Sequence, residues 1–192
     1  MAAGGALAPR AVLVLAGAML GVCHAAAAQQ EASPAPAQPP PAAVAPAVPG
    51  PGRTTGLPLP RFVSLGADRI NLRFGPGEQY PIRWVLARAG LPVEIVAEFD
   101  NWRKVRLHDG DEGWIWAKLL SSRRTILVTD GVRELRRTPD EDARVVLRAE
   151  PGVIGELVDC EEAWCRVDIQ GRRGWLRRDA FWGILPDEMP NY

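Results

Sequence analysis

The chain has 192 residues, and its 23 lysines and arginines are balanced by 23 aspartates and glutamates. This balance leaves no overall positive field, so we do not expect nucleic acid as a partner. The sequence contains only two histidines and three cysteines, which restricts the catalytic and metal-binding chemistry that it could carry.

Residues 1–28 have the pattern of a secretory signal peptide. One charge, Arg10, precedes a run of twelve apolar residues that ends at Val22, and small residues follow up to Ala28, where we expect cleavage. The run is shorter than the ~20 residues of a membrane-spanning helix, which disfavours an uncleaved N-terminal anchor. Lipidation at Cys23 is disfavoured because Val22 stands where a lipobox has a small residue. The sequence therefore predicts export across the inner membrane to the periplasm, with no transmembrane helix in the mature chain.

Residues 29–60 contain ten prolines interleaved with alanine and almost no charge. Such a composition favours extended polyproline conformations and cannot bury a core, so we predict a disordered spacer. Two PxxP patterns, Pro36 to Pro39 and Pro46 to Pro49, leave open a role as ligands for a proline-recognising module. In a segment so rich in proline, chance matches of this kind are expected.

The stretch from Ile70 to Pro81 opens the folded part of the chain. Apolar and polar residues alternate from Ile70 to Phe74, which predicts a half-buried strand. Gly75-Pro76-Gly77 must end that strand in a turn, because glycine reaches backbone angles closed to other residues and proline donates no hydrogen bond. A second apolar run, Ile82 to Leu86, predicts the next strand.

The remainder of the chain contains an internal repeat in which matching runs lie 61 to 63 residues apart. The first copy consists of Leu72-Arg73, Trp84-Val85-Leu86, Val93-Glu94-Ile95-Val96, Asn101-Trp102-Arg103-Lys104-Val105 and Gly113-Trp114-Ile115. The second consists of Leu135-Arg136, Val145-Val146-Leu147, Gly155-Glu156-Leu157-Val158, Ala163-Trp164-Cys165-Arg166-Val167 and Gly174-Trp175-Leu176. Two copies of one folding unit are therefore expected.

Each copy has short β-branched and aromatic runs separated by turn residues, the pattern of a small barrel or sandwich. We predict an all-β fold with two tandem barrels, residues 61–124 and 125–186, followed by a short tail at 187–192. Because a unit of ~60 residues is near the lower limit for independent folding, the two units should pack on each other. Thr125 to Val128, which follows the connection between them, should itself be a strand.

The order of motifs in the first copy is similar to that of a known family. It runs Leu72-Arg73, Gly75-Pro76-Gly77, Tyr80-Pro81, Trp102 and then Gly113-Trp114-Ile115. This copy resembles the bacterial SH3 (SH3b) family, and in particular its secreted proteobacterial tandem-domain proteins. The second copy keeps Trp164 and Gly174-Trp175 but has Thr138-Pro139-Asp140-Glu141 at the turn. The resemblance implies two SH3-like barrels and a non-catalytic binding role in the cell envelope.

Candidate catalytic and metal-binding groups are few. After loss of the signal peptide, His108 is the one histidine left, and its setting beside Asp109-Gly110-Asp111-Glu112 predicts an exposed hairpin tip, a poor place for a general base. The acidic residues there, and Asp140 to Asp142, lack the fixed ligand spacing of a calcium loop. We therefore expect no enzyme activity, no catalytic residues, no metal site and no cofactor.

Cys160 and Cys165 flank a short turn and would face each other on a hairpin. In an exported protein thiols meet an oxidising compartment, so we predict a disulfide between them. So short a loop should stabilise the fold by no more than about 2 kcal/mol. Zinc is the alternative, but two cysteines and one distant histidine supply too few ligands.

Seven tryptophans divide into two groups. Trp102 and Trp164 are equivalent in the two copies, as are Trp114 and Trp175, so shared packing explains these four. The predicted ligand-binding residues are aromatic residues that the second copy does not share: Phe74, Tyr80, Trp84 and Trp116. An alternative for Trp84, and for Trp182, is that they fill the joint between the barrels.

The sequence thus predicts a non-catalytic exported module that binds peptidoglycan or an envelope protein. The alternative is a protein-interaction adaptor that binds extended or proline-rich peptides, and a cell-wall hydrolase is the least favoured hypothesis. Arg172-Arg173 and Arg177-Arg178 around Trp175 could contact an anionic polymer, although arginines on the exposed face of an edge strand, as we predict these to be, usually only solubilise a protein.

Overall fold

A computed structural model describes residues 50–189 of the chain. The predicted signal peptide, the predicted spacer up to residue 49 and the last three residues of the tail lie outside the described residues. Over residues 50–189 the structure is all-β, with two seven-stranded sheets and one two-stranded pairing. No helix in this part of the chain is both long and apolar enough to cross a membrane.

The first barrel is one antiparallel sheet of seven strands. In chain order, after the N-terminal pair β1 (Gly50–Pro51) and β2 (Pro58–Leu59), its strands are β3 (Arg61–Leu65), β4 (Ile70–Arg73), β5 (Ile82–Leu86), β6 (Pro92–Phe99), β7 (Trp102–Arg106), β8 (Glu112–Trp116) and β9 (Leu120–Ser121). A single 3-10 turn, Ala117–Leu119, precedes β9. The strands lie in the order β5-β4-β8-β7-β6-β3-β9, so β5 is an edge strand.

The second barrel repeats this arrangement strand for strand. Its strands are β10 (Thr125–Val128), β11 (Arg133–Arg136), β12 (Val145–Ala149), β13 (Ile154–Glu161), β14 (Trp164–Ile169), β15 (Arg172–Arg177) and β16 (Phe181–Trp182), with a 3-10 turn at Arg178–Ala180. The order β12-β11-β15-β14-β13-β10-β16 matches that of the first barrel position by position. The two predicted barrels, and the strand predicted at Thr125 to Val128, are confirmed.

Each barrel encloses its own apolar core, because alternate residues of each strand point inward. Equivalent residues fill the same places: Leu72, Ile95, Val105 and Ile115 in the first core correspond to Leu135, Leu157, Val167 and Leu176 in the second. All eight side chains are buried, so the internal repeat of the sequence reflects shared core packing.

The repeated Gly-Trp pairs have a steric cause. A Cβ atom on Gly113 would lie 2.6 Å from the Leu72 side chain and 2.9 Å from the Arg73 carbonyl oxygen. A Cβ atom on Gly174 would lie 3.0 Å from the carbonyl oxygen of Arg136, which is the residue equivalent to Arg73. Both barrels therefore need glycine here so that β8 and β15 can approach their neighbouring strands.

The predicted disordered spacer requires a correction at its C-terminal end, because residues 50–60 are ordered. β1 and β2 pair with each other, and the turn between them packs on the buried side chain of Glu98. The Glu98 carboxylate accepts hydrogen bonds from the backbone N–H groups of Thr54 (3.0 Å) and Thr55 (2.9 Å) and from the Thr55 hydroxyl (2.7 Å). Composition alone missed this segment, which we call the N-terminal clip, because its partner lies more than forty residues away.

The two barrels contact each other through the connection between them. The Thr125 hydroxyl lies 2.8 Å from the Ser64 hydroxyl and donates to the Gly90 carbonyl oxygen at 2.7 Å. The rings of Phe62 and Trp182 meet edge to face, with centroids 4.7 Å apart. The alternative interpretation, that the side chain fills the joint between the barrels, is therefore confirmed for Trp182. Trp84 lies elsewhere, with 52% of its surface exposed.

The predicted disulfide is confirmed. Cys160 and Cys165 are direct cross-strand partners on the β13–β14 hairpin, with Cα atoms 4.0 Å apart and their sulfur atoms bonded. Both cysteines are buried and belong to the core of the second barrel. The bond therefore fixes the end of the hairpin that carries Trp164.

Candidate ligand-binding face of the first barrel

Two of the predicted site residues, Phe74 and Trp84, belong to one exposed cluster beside the edge strand β5. The Trp84 indole N–H donates to one Asp111 carboxylate oxygen, and Arg83 donates to the other, both at 2.7 Å. The Arg83 guanidinium also lies over the Phe74 ring, 5.5 Å from its centre, in cation–π range. We call Phe74, Arg83, Trp84 and Asp111 the outer cluster, and its two aromatic rings are more than half exposed.

Tyr80 stabilises the turn that follows β4. Its ring lies against Gly75, where a Cβ atom would come within 2.4 Å of it, so only glycine fits beneath the ring. The Arg73 guanidinium donates to the carbonyl oxygens of Glu78 (3.1 Å) and Tyr80 (2.8 Å) and holds the turn closed. Tyr80 remains 40% exposed, so it combines packing within the turn with an accessible edge.

Trp116 lies in a groove on the outward face of the sheet. It is the cross-strand partner of Trp102, and the two rings meet edge to face with centroids 5.6 Å apart. The side chains that surround these rings are Arg69, Asn71, Arg73 and Lys118, and the groove encloses about 370 Å³. We call it the aromatic groove, and its volume is in the range of small-ligand sites.

The four predicted residues therefore lie at three places in the first barrel, and one residue links two of these places, the turn and the aromatic groove. Phe74 and Trp84 belong to the outer cluster, Trp116 to the aromatic groove, and Tyr80 to the turn that Arg73 holds closed. Arg73 is the link, because it lines the groove and binds the turn. Arg69, Asn71, Arg73 and Lys118 were not among the site residues predicted from the sequence. Strand alternation could have found Asn71 and Arg73, since they flank the buried Leu72 and point outward.

The second barrel has an equivalent groove with different chemistry. Trp164 stands where Trp102 does, but Arg177 replaces Trp116. Arg177 pairs with Glu141 at 2.7 Å and with Asp179 at 3.3 Å, and Arg136 pairs with Glu134 at 3.0 Å. The hydrogen bond to Asp179 and the charge of that carboxylate, followed by the hydrogen bond to Glu141, raise the pKa of Arg177. The groove of the second barrel, which encloses about 590 Å³, is thus lined by arginines that are paired with carboxylates of the same barrel.

The remaining candidate groups, His108 and the arginines around Trp175, are not among the residues that line the aromatic groove. His108 lies at the exposed tip of the β7–β8 hairpin, as predicted, and its ring faces Trp182 at 6.4 Å. Among residues 50–189 no three His, Cys, Asp or Glu side chains are grouped so that they could hold a metal ion. The strand that carries Arg172, Arg173 and Arg177 is not an edge strand, because β15 lies between β11 and β14. Arg173 pairs with Asp168, and Arg178 donates to the carbonyl oxygens of Leu185, Pro186 and Glu188.

The family profile described as "Bacterial SH3 domain" matches residues 66–122 and 132–183. The two matches cover more than half of the chain and coincide with the two barrels. The protein therefore belongs to the bacterial SH3 domain family and carries two such domains in tandem. The family resemblance and the fold predicted from the sequence are confirmed.

Similar solved structures include NlpC2 from Trichomonas vaginalis, with 14% identity over 65% of this chain and 48% of that chain and a TM-score of 0.31. NlpC1 from the same organism has 14% identity over 71% of this chain and 51% of that chain, also with a TM-score of 0.31. An NlpC/P60 family protein from Bacillus cereus has 17% identity, coverages of 64% and 56%, and a TM-score of 0.30. The chain spans about half the length of these proteins. No curated protein matches the chain.

Proposed function

We propose that this protein is a non-catalytic exported module that binds peptidoglycan or a partner protein of the cell envelope through its first barrel. The observation that carries this proposal is the aromatic groove, a ligand-sized depression lined by two tryptophans, Trp102 and Trp116. Aromatic rings in an open groove can stack on sugar rings or on the flat faces of peptide groups. Membership of the bacterial SH3 domain family, whose members often bind cell-wall material, supports the same role.

The outer cluster adds exposed aromatic surface to the same barrel. Trp84 and Phe74 are 52% and 59% exposed. In the second barrel Leu147 and Arg137 stand at the equivalent positions. The match of Trp84 with Val145 predicted from the sequence repeat is wrong, because Trp84 pairs with Leu72 as Leu147 pairs with Leu135. Large apolar side chains grouped at a surface often mark a site of interaction. These exposed aromatic side chains occur in only one of two barrels that share the same fold. This difference supports the proposal that the first barrel binds the ligand and that the second has a structural role.

The Cys160–Cys165 disulfide supports an exported location, because such bonds persist in oxidising compartments. We propose the periplasm, in agreement with the signal-peptide pattern of residues 1–28.

Co-sedimentation of the purified protein with isolated peptidoglycan tests the proposal. We expect the wild type to sediment with the wall material, and Trp116→Ala and Trp84→Ala to weaken that binding by about tenfold or more, the loss typical of a central aromatic contact. The matched control variant is Arg177→Ala, at the position of the second barrel equivalent to Trp116, which should bind as the wild type does. A wild type that stays in the supernatant would exclude peptidoglycan, and crosslinking in the native envelope would then seek a protein partner.

A second candidate function is a protein-interaction adaptor for extended peptides. The observation that favours it is the edge position of β5, which leaves one side of that strand unpaired beside exposed Ile82 and Val85. An extended peptide could add to such an edge as a further strand. If the proline-rich segment of this chain occupies the edge, deletion of residues 29–49, which leaves the N-terminal clip intact, should tighten binding of added proline-rich peptides. Unchanged affinity after that deletion would argue against self-docking.

A further inference from the structure

The charges around the aromatic groove are unbalanced. Three cationic side chains, Arg69, Arg73 and Lys118, line it together with one carboxylate, that of Glu78. Over residues 50–189, none of these three cations forms an ion pair with a carboxylate, and the hydrogen bonds of Arg73 go to backbone carbonyl oxygens. The local positive charge of the groove is therefore available to a ligand.

The equivalent groove of the second barrel shows the alternative arrangement. Its Arg136 and Arg177 have carboxylate partners within 3.3 Å, all contributed by the same barrel, while its third cation, Arg133, donates to the Thr129 carbonyl oxygen. Four carboxylates line this groove, more than its three arginines. A ligand carboxylate would have to displace those partners before it could bind. In the first barrel the neutral Asn71 stands where the second barrel has Glu134. Lys118 stands where the second barrel has Asp179.

We infer that the aromatic groove binds a short extended peptide that bears carboxylate groups. This inference rests on the proposed binding role of the first barrel. Carboxylates of the peptide would pair with Arg69 and Lys118, while Trp102 and Trp116 contact its apolar atoms and peptide planes. The Asn71 side chain, which can both donate and accept hydrogen bonds, suits a peptide backbone.

A polyanion fits these observations less well than a peptide. The whole chain has no net charge, so it lacks the extended positive field that a nucleic acid or polyphosphate requires. Glu78 also borders the groove and would repel densely spaced phosphates. Cations confined to one small aromatic groove instead suit a ligand that carries one or two negative charges.

The test compares two peptides by isothermal titration calorimetry with the purified full chain. One is N-acetyl-Ala-Glu-Ala-Ala with a free C-terminal carboxylate, and the other is N-acetyl-Ala-Gln-Ala-Ala-amide, which has the same length and no charge. We expect the acidic peptide to bind and the neutral one to bind at least tenfold more weakly. Arg69→Gln and Lys118→Gln should each weaken binding of the acidic peptide about two- to five-fold, the value of one exposed ion pair.

Arg133→Gln is the matched control, since Arg133 lines the equivalent groove of the second barrel, and it should leave affinity unchanged. Equal affinity for the two peptides, binding of neither, or displacement of the acidic peptide by millimolar inorganic phosphate would overturn the inference. Co-sedimentation with peptidoglycan separates the two proposals. If Trp116→Ala abolishes that binding while neither peptide binds, the carboxylate inference fails and the proposed function stands.

Discussion

The two barrels differ in what connects one equivalent pair of cross-strand residues. In the second barrel this pair is Cys160 and Cys165, joined by the disulfide. The equivalent partners in the first barrel are Glu98 and Arg103, whose charged groups lie 3.5 Å apart. The disulfide links only its own two strands, whereas the Glu98 carboxylate also binds Arg61 at 2.7 Å and the N-terminal clip. One fold thus accepts either a covalent link or a buried charge at the same register position.

This pair matters for the grooves because it lies on the hairpin that carries each groove tryptophan. Trp102 follows the β6–β7 turn as Trp164 follows the β13–β14 turn. Both turns pass through a residue with positive φ, Asp100 at 47° and Glu162 at 45°. The difference between the barrels therefore concerns how each hairpin is stabilised and leaves its backbone path unchanged.

The largest effect is expected for Glu98→Gln. Burial alone would raise the pKa of Glu98, but the hydrogen bonds from Arg61, Thr55 and Thr54 outweigh it and lower that pKa to about 2. From the usual value of 4.5, such a shift corresponds to about 3 kcal/mol of stability. The variant should lose a large part of this stabilisation, measured as the free energy of urea unfolding, and protease should cleave residues 50–60 more rapidly.

The control variant is Glu161→Gln, at an exposed position beside Cys160, which should change the stability by less than about 0.5 kcal/mol. Equal stability of the wild type and Glu98→Gln would refute the role given to this carboxylate.

The same carboxylate predicts how stability depends on pH. Because the pKa of Glu98 is lower in the folded than in the unfolded protein, its contribution is complete above about pH 4.5. That contribution is lost as the pH falls towards 2. The difference in unfolding free energy between the wild type and Glu98→Gln should therefore shrink over this interval. A difference that stays constant from pH 7 to pH 2 would contradict the assignment.

Reduction of the disulfide should have a somewhat smaller effect, of about 2 kcal/mol, because the loop that it closes is short. Dithiothreitol should lower the urea midpoint of the wild type, while Cys160→Ala combined with Cys165→Ala should not respond to the reductant. A reductant effect in that double variant would show that the loss arises elsewhere in the chain.

The smallest effect is expected in the outer cluster, which the second barrel lacks. Asp111→Ala removes the partner of Trp84 and Arg83, and since both contacts are exposed the loss should be about 1 kcal/mol or less. The equivalent residue in the second barrel is Arg172, and Arg172→Ala should leave the stability unchanged. A loss well above 1 kcal/mol for Asp111→Ala would mean that the cluster is part of the folding core of the first barrel.

Much of the fold could be predicted from the repeat, because residues spaced 61 to 63 apart fill equivalent core positions such as Leu72 and Leu135. The disulfide was equally accessible, since Cys160 and Cys165 flank a single turn. The role of Glu98 could not be predicted from the sequence, because nothing about a glutamate in a strand indicates that it will bind the chain near Thr55.

The candidate site was predictable only in part. Trp84 and Trp116 were predicted as site residues because the second copy has no tryptophan at the equivalent positions. Trp102, however, was assigned to the framework because Trp164 repeats it, and the structure gives it a second place in the groove. A residue shared by two copies can thus serve packing in both and line a potential ligand site in one. The charged residues around the aromatic groove could be interpreted only when the ion pairs of the two barrels were compared.

The N-terminal clip also has a mechanical consequence. Tension applied at Gly50 acts on the β1–β2 pairing and on the Thr54 and Thr55 hydrogen bonds to Glu98 before it reaches β3. These contacts are fewer than those that hold β3 between β6 and β9, so the clip should open first. Residues 50–60 span at most about 35 Å when fully extended. We therefore expect tension from the N-terminal side to lengthen the chain by less than this amount before the first barrel loses a strand.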